Sequence, residues 1–357
     1  MKLFDRVLEE INRGKQGLNV GLPHGIKGFE DYVPNIQQKT YYTIAGETAS
    51  QKTALTDFMF MYTPFNWLMA NKGKTDMKMK LVYWSFEISM EDKIAKGVCQ
   101  KIFRDYGVLV DVDYILSRGK NRISDEVYRL VMNTRDYFDE LHDIIEIHDV
   151  STNPTGMTKR LEEIALENGH MEQTSKFSKT YRPKDPNLFF MTIVDHIKLL
   201  KPQSGLSKKE LIDFTSNAMI EYRNKYLLSP IIVSQFNRSL ASAQRELSTN
   251  SRPNYDKVKP QLSDLAESSA MAEDSNVVIS IFSPNRYSIP EYFGYDITQL
   301  KDRVRFLDIM KNRNGSPNAS KAVFALGEVG LFSDLPLPEK MDRAWYERVN
   351  SYRKVTN

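Results

Sequence analysis

The chain has 357 residues, 41% hydrophobic and 27% charged, enough for one large α/β domain with attachments or for two small domains. Its 49 Lys and Arg against 46 Asp and Glu leave a net charge of +3, too small to attract nucleic acid by overall charge, so any basic surface has to be local. The single cysteine, Cys99, excludes an internal disulfide framework and a cysteine-built zinc site, and fits the reducing interior of a cell. The N-terminus lacks the apolar core of a signal peptide, and no run approaches the length that crosses a bilayer, so a cytoplasmic protein without membrane contact is expected.

Residues 2–13 place Leu3, Phe4, Val7, Leu8 and Ile11 on one face of an amphipathic helix. Such a short helix needs a partner surface. Gly14 to Gly28 carries further glycines and Pro23 and reads as a linker, which makes the helix an arm. The most informative stretch follows, a β-rich run from Tyr41 that breaks at Gly46 into Glu47-Thr48-Ala49-Ser50-Gln51-Lys52-Thr53 and then into a helix. A strand, a small-residue loop and Lys-Thr opening a helix form a cradle for a nucleoside triphosphate. Loop N–H groups from Gly46 to Gln51 face the phosphates, Lys52 neutralises them, and the Thr53 hydroxyl reaches Mg²⁺. One letter departs from the pattern: Gln51 stands where the loop ordinarily has Gly. A negative φ there is harmless and a positive one is costly.

Beyond the loop, apolar runs alternate with helical patterns at Leu81–Ser85, Ile144–His148, Phe189–Asp195, Ile231–Gln235, Val277–Phe282, Val304–Met310 and Ala322–Leu326. Continuous apolar strands separated by helices predict a mostly parallel sheet covered on both faces, with an antiparallel edge formed by the last, closely spaced strands. Glu167 to Asn187 is polar, with two prolines, and reads as an inserted surface loop. Asn237 to Gln261 is longer, almost without apolar residues, and carries Arg238, Arg245, Arg252, Lys257 and Lys259.

Three strand ends carry candidate chemistry. Glu87 follows the second strand, where open α/β sheets bind ligands, and is either the base that polarises a water attacking the γ-phosphate or a solvated acid of the next helix's first turn. Asp195 ends an apolar strand, the pattern of a Mg²⁺-side carboxylate, and alone is equally a turn residue. Gln235 ends another strand as a neutral amide able to sense a γ-phosphate by hydrogen bonding.

The segments Gly25–Glu30, YWSFEISMED, MTIVDHIKLL, PIIVSQFNRSL, QLSDLAESSAMAEDSNVVI and IMKNRNGSPNA stand in the order of the motifs of DnaB-type hexameric replicative helicases, and over Gly21–Phe332 the chain resembles that family. The resemblance implies a RecA-like P-loop NTPase domain at 21–357 behind an arm and linker at 1–20, with ATP and Mg²⁺ as cofactors and assembly into a hexameric ring around single-stranded DNA. It implies phosphate and metal binding at Lys52 and Thr53, a catalytic base at Glu87, a Mg²⁺-associated acid at Asp195 and a γ-phosphate sensor at Gln235. Lys311 and Arg313 of KNRNG become a sensor and an arginine finger reaching the neighbouring subunit's site; on residues alone a solvated basic turn before Gly315 is the alternative. Primase or a helicase loader is the implied partner, and the reduced form suits a phage or mobile element in a host cytoplasm.

His196 and Ala266 depart from the family's Tyr and Arg, as Gln51 departs from its Gly, and all three put normal hydrolysis in doubt. DNA contact is expected from Lys201, Lys208 and Lys209 in the first inner-wall loop and from Arg238, Arg245 and Arg252 in the second, through phosphates rather than bases. Both are equally readable as solvated connectors. Two other readings stand beside the helicase: a RecA-like recombinase, and a nucleotide-binding scaffold with reduced turnover.

Overall fold

The computed structural model describes residues 3–176, 178–236, 259–317 and 319–355, with the backbone alone described at residues 3, 6 and 266–269. Arg238, Arg245 and Arg252 lie outside the described residues. After helix α1 (Leu3–Lys15) the chain enters a sheet through β1 (Tyr42–Gly46), then α2 (Lys52–Asp57), which runs through a π-helical turn, Phe58–Tyr62, into α3 (Thr63–Ala70). There follow β2 (Lys78–Ser85), α4 (Met90–Tyr106), α5 (Val112–Ile115), α6 (Asp125–Met132), α7 (Arg135–Ile144), β3 (Ile145–His148) and α8 (Pro154–Glu167). A hairpin of β4 (Gly169–Ser175) and β5 (Ser178–Pro183) precedes β6 (Leu188–Asp195), α9 (Lys208–Tyr226) and β7 (Ser229–Gln235). Then come β8 (Val277–Phe282), a small pair β9 (Glu291–Tyr292) and β10 (Tyr295–Asp296), and β11 (Val304–Asn312), β12 (Ser320–Leu326) and β13 (Leu331–Asp334), before a last helix, Arg343–Asn350.

Among the described residues nine strands form one sheet in the order β13-β12-β11-β8-β1-β7-β6-β2-β3. From β8 to β3 the neighbours are parallel, and β11, β12 and β13 add on antiparallel, as the spacing of the last runs predicts. Strand alternation divides the core. Leu81, Tyr83, Met191, Ile193, Ile231 and Val233 face one layer with α2 and the turn after it, while Val82, Trp84, Phe190, Val194 and Ile232 face the layer of α8 and α9. Each large apolar side chain so buried contributes about 1.5–3 kcal/mol.

Two sequence expectations are corrected. The second half of the expected linker is core: Leu22 and Ile26 are fully buried, as is Phe29 just beyond it, and Leu22 pairs by backbone hydrogen bonds with Ile36. Glycines mark turns there, but the apolar residues between them reach the sheet. The polar stretch after α8 is the β4–β5 hairpin rather than a loop, anchored by Tyr181, whose hydroxyl donates to the Ala165 carbonyl at 2.8 Å. Helix α1 forms as expected, with Phe4 67%, Val7 51%, Leu8 41% and Ile11 51% exposed.

Candidate active site

Parallel pairing brings the strand ends together. Gly46 lies opposite Gln235 on one side and Ile281 on the other, and Ser85 lies opposite Asp195. The phosphate loop, Glu87, Asp195 and Gln235 therefore share the C-terminal edge of the sheet, where the chain order of strands reverses about β1. Gly46 is required there by close approach, since a Cβ would lie 2.8 Å from Ile281 Cγ2.

Lys52 opens α2 and is only 6% exposed, its Nζ 3.5 Å from the Glu47 carbonyl. Burial lowers its pKa, and the carboxylates of Glu87 and Asp195 oppose that shift. Thr53, half-buried, lines the same cleft with Ala49, Glu87, Lys93 and Gly327. The cleft encloses about 490 Å³. Ser50 is fully buried with an unpartnered Oγ among the described residues, and its carbonyl accepts from Arg305 Nε at 3.3 Å. Arg305 is a buried guanidinium on β11, held by Asp302 at 2.8 Å and pushed down in pKa by burial.

The loop is held from two further sides. Gln235 Nε2 donates to the Thr48 hydroxyl; Arg286 donates to the Thr48 carbonyl, and the Tyr287 hydroxyl to Glu47. Arg286, Tyr287 and Arg305 escape sequence reading, although a charged residue inside the apolar run Val304–Ile309 is a signal that Arg305 has a buried partner.

Glu87 is exposed, on a turn fixed by Phe86 N–H to the Asp195 carbonyl at 2.8 Å and by Ser85 Oγ to the Ile88 carbonyl at 2.6 Å. The cap of α4 is Ser89, and Asp149 accepts from Met90 N–H at 2.9 Å, so Glu87 lies outside that helix's first turn. Its carboxylate is 3.9 Å from His196 Nε2. Burial lowers the His196 pKa, opposed by Glu87 and Asp195. Asp195 is 1% exposed; Oδ2 accepts from the Tyr83 hydroxyl at 3.4 Å, and Oδ1 has no partner among the described residues. A hydroxyl from Thr53 and a free, buried carboxylate oxygen suit a hard cation. No group of three or more His, Cys, Asp or Glu side chains that could hold a metal ion lies among the described residues.

Lys311 and Arg313 are not brought to this edge. β11 runs antiparallel, so Lys311 pairs with Val278 and Asn312 with Val277, beside the start of β1. Lys311 Nζ donates to the Ala272 carbonyl at 2.8 Å, and Arg313 to the Glu273 carbonyl at 2.5 Å. The length of β1, about 13–17 Å at 3.3 Å per residue, separates them from their own phosphate loop.

Of the candidate DNA residues, Lys201 is exposed in the loop after β6. That loop is tied to the start of α8 by Lys201 N–H to the Thr152 carbonyl at 3.0 Å and by Thr155 Oγ1 to Gln203 Oε1 at 3.0 Å. Lys208 and Lys209 are corrected from loop to helix: they form the first turn of α9, capped reciprocally by Ser207 and Glu210. Both are exposed. Lys259, at the end of the second basic segment, pairs with buried Asp308 at 3.1 Å.

Residues 21–333 match the family described as DnaB-like helicase C terminal domain. The chain belongs to that family. A DnaB-like motor is an ATP-hydrolysing replicative DNA helicase with a RecA-like fold, and the family implies nucleotide use, DNA binding and oligomerisation. The DnaB-like architecture is matched by a solved ATPase domain, 17% identical, with a TM-score of 0.68 over 94% of this chain and 100% of that one. It is matched also by a DnaB-like replicative helicase described with its interactions with primase, 18% identical, with a TM-score of 0.65 over 94% of this chain and 68% of that one. At these identities both establish the fold alone. No curated protein matches the sequence. No helix among the described residues is long and apolar enough to cross a membrane.

Proposed function

We propose that this chain is the motor of a hexameric ring that hydrolyses ATP to move along single-stranded DNA, each active site being shared between neighbouring subunits. The observation that carries it is the split of the candidate residues between two sheet edges, with Lys52, Thr53, Glu87, Asp195 and Gln235 at one and Lys311 and Arg313 at the other.

In this reading Lys52 and the loop N–H groups hold the phosphates, and Thr53 and the free Asp195 oxygen hold Mg²⁺, which when bound neutralises phosphate charge. Glu87, exposed beside the cleft, orients and deprotonates the attacking water. Gln235, already bonded to the loop at Thr48, reports the γ-phosphate. Arg313 and Lys311 of the adjacent subunit place positive charge on the phosphoryl group as it transfers, which suits their distance from their own loop. Residues 1–20 are the arm, and the exposed apolar face of α1 docks on a neighbour.

Lys201, Lys208 and Lys209 contact DNA phosphates on the inner wall, and primase or a loader is the partner, in the cytoplasm of a phage-infected host. The experiment is ATPase turnover with and without single-stranded DNA: stimulation supports the motor, and nucleotide binding without phosphate release supports a scaffold instead. One observation favours that second reading, the positive φ of Gln51.

A further inference from the structure

Gln51 has φ +75° and ψ +24°, the left-handed conformation that L side chains adopt at a cost and glycine freely. The backbone therefore keeps the shape of a glycine loop while carrying a side chain. That side chain runs to Gly327, in the turn between β12 and β13. A Cβ on Gly327 would lie 2.9 Å from Gln51 Cδ and closer still to Nε2, and the three atoms nearest to it all belong to the Gln51 carboxamide. Gly327 does not have a positive φ, so its own backbone does not call for glycine; the space does.

The turn cannot retreat. Lys96 on α4 donates to the carbonyls of Gly327 (2.6 Å) and Glu328, Gln100 donates to those of Val329 (3.3 Å) and Gly330 (2.9 Å), and Arg303 pairs with Glu328 at 2.5 Å. Gln51 Oε1 is buried there without a hydrogen-bond partner among the described residues, so the carboxamide oxygen is seated by shape and not by polar pairing. Gln51 and Gly327 line the same cleft as Lys52 and Thr53.

We propose that Gln51 and Gly327 are a compensated pair: the side chain missing at 327 houses the carboxamide gained at 51 and keeps it out of the phosphate path. The inference rests on the nucleotide-binding reading above and answers how the loop works without its glycine. Gln51 is a positioning residue whose presence is tolerated only with glycine at 327. An added methyl at 327 displaces the flexible end of Gln51 within the cleft it shares with Lys52 and Thr53, a small loss for the fold and, on this proposal, a large one for the ligand.

The test is a cycle of the parent, Gly327→Ala, Gln51→Gly and the double variant, with Mg²⁺-ADP affinity measured by calorimetry and melting temperature measured without nucleotide. Gly327→Ala is expected to weaken Mg²⁺-ADP by about tenfold or more and to lower the melting temperature by only about 1–3 °C. In the Gln51→Gly background the same substitution should cost neither. Unchanged affinity in Gly327→Ala, or an equal loss in both backgrounds, overturns the pair. A parent that binds no nucleotide contradicts the proposed function instead, and the thermal cycle then decides the pair alone: loss of the melting-temperature effect in the Gln51→Gly background supports it, and equal effects refute it.

Discussion

Lys93 Nζ lies 3.1 Å from both carboxylate oxygens of Asp57, in a buried ion pair at the wall of the cleft that Lys52 and Thr53 line. Asp57 ends α2, Lys93 sits in the first turn of α4, and the ammonium also lies 3.9 Å from the centre of the Tyr83 ring. The Tyr83 hydroxyl donates to Asp57 at 2.7 Å and faces Asp195 at 3.4 Å, so the pair braces the two elements that flank the cleft.

Removing one partner should be worse than removing both. Lys93→Met leaves a buried carboxylate unpaired and is expected to cost about 3–5 kcal/mol in denaturant unfolding. Lys93→Met combined with Asp57→Leu should recover most of that loss. A double variant no more stable than the single one would mean that the pair is not the source.

The same pair sets a pH dependence. Burial raises the Asp57 pKa, with Lys93 and the Tyr83 hydroxyl opposing it. Without Lys93 the folded state holds the Asp57 proton more tightly than the unfolded chain, whose carboxyl titrates at about pH 3.9. A raised carboxyl contributes stability that is present at low pH and lost as pH rises through the folded value. The stability gap between parent and Lys93→Met should therefore be small near pH 4 and widen towards neutrality. A gap of constant size would contradict this.

Glu87→Gln should bind nucleotide like the parent and turn over about 10²–10⁴-fold more slowly, the range lost with a general base. Glu87 is exposed and outside the α4 cap, so its removal should leave the melting temperature unchanged. Parent-level turnover would place the base elsewhere.

Neutralising Lys201, Lys208 and Lys209 together should flatten the salt dependence of single-stranded DNA binding, by about 0.7 in log–log slope for each phosphate no longer neutralised. An unchanged slope would make them solvated surface, which the position of Lys208 and Lys209 on a capped helix also permits.

The sheet and its strand ends were legible because fully buried parallel strands write themselves as unbroken apolar runs, and Glu87, Asp195 and Gln235 stand where those runs stop. The first turn of α9 reads as loop in the sequence, although the Ser207-to-Glu210 spacing is that of a capping box. What lay beyond reading was long-range. Arg305 meets Ser50 across 255 positions and Arg286 meets Thr48 across 238, and local pattern does not encode such pairings. Gln51 showed as a departure, but its left-handed backbone and its place against Gly327 needed the third dimension.

The claim that each site is shared between subunits is tested most directly by mixing Lys52→Ala protein with Arg313→Ala protein, each inactive alone. A mixed ring sets an intact phosphate loop against an intact Arg313 from the neighbour, and ATPase activity should return on mixing. No recovery, with mixed assemblies confirmed by mass, would contradict the shared site and leave Arg313 as the surface cation bonded to the Glu273 carbonyl.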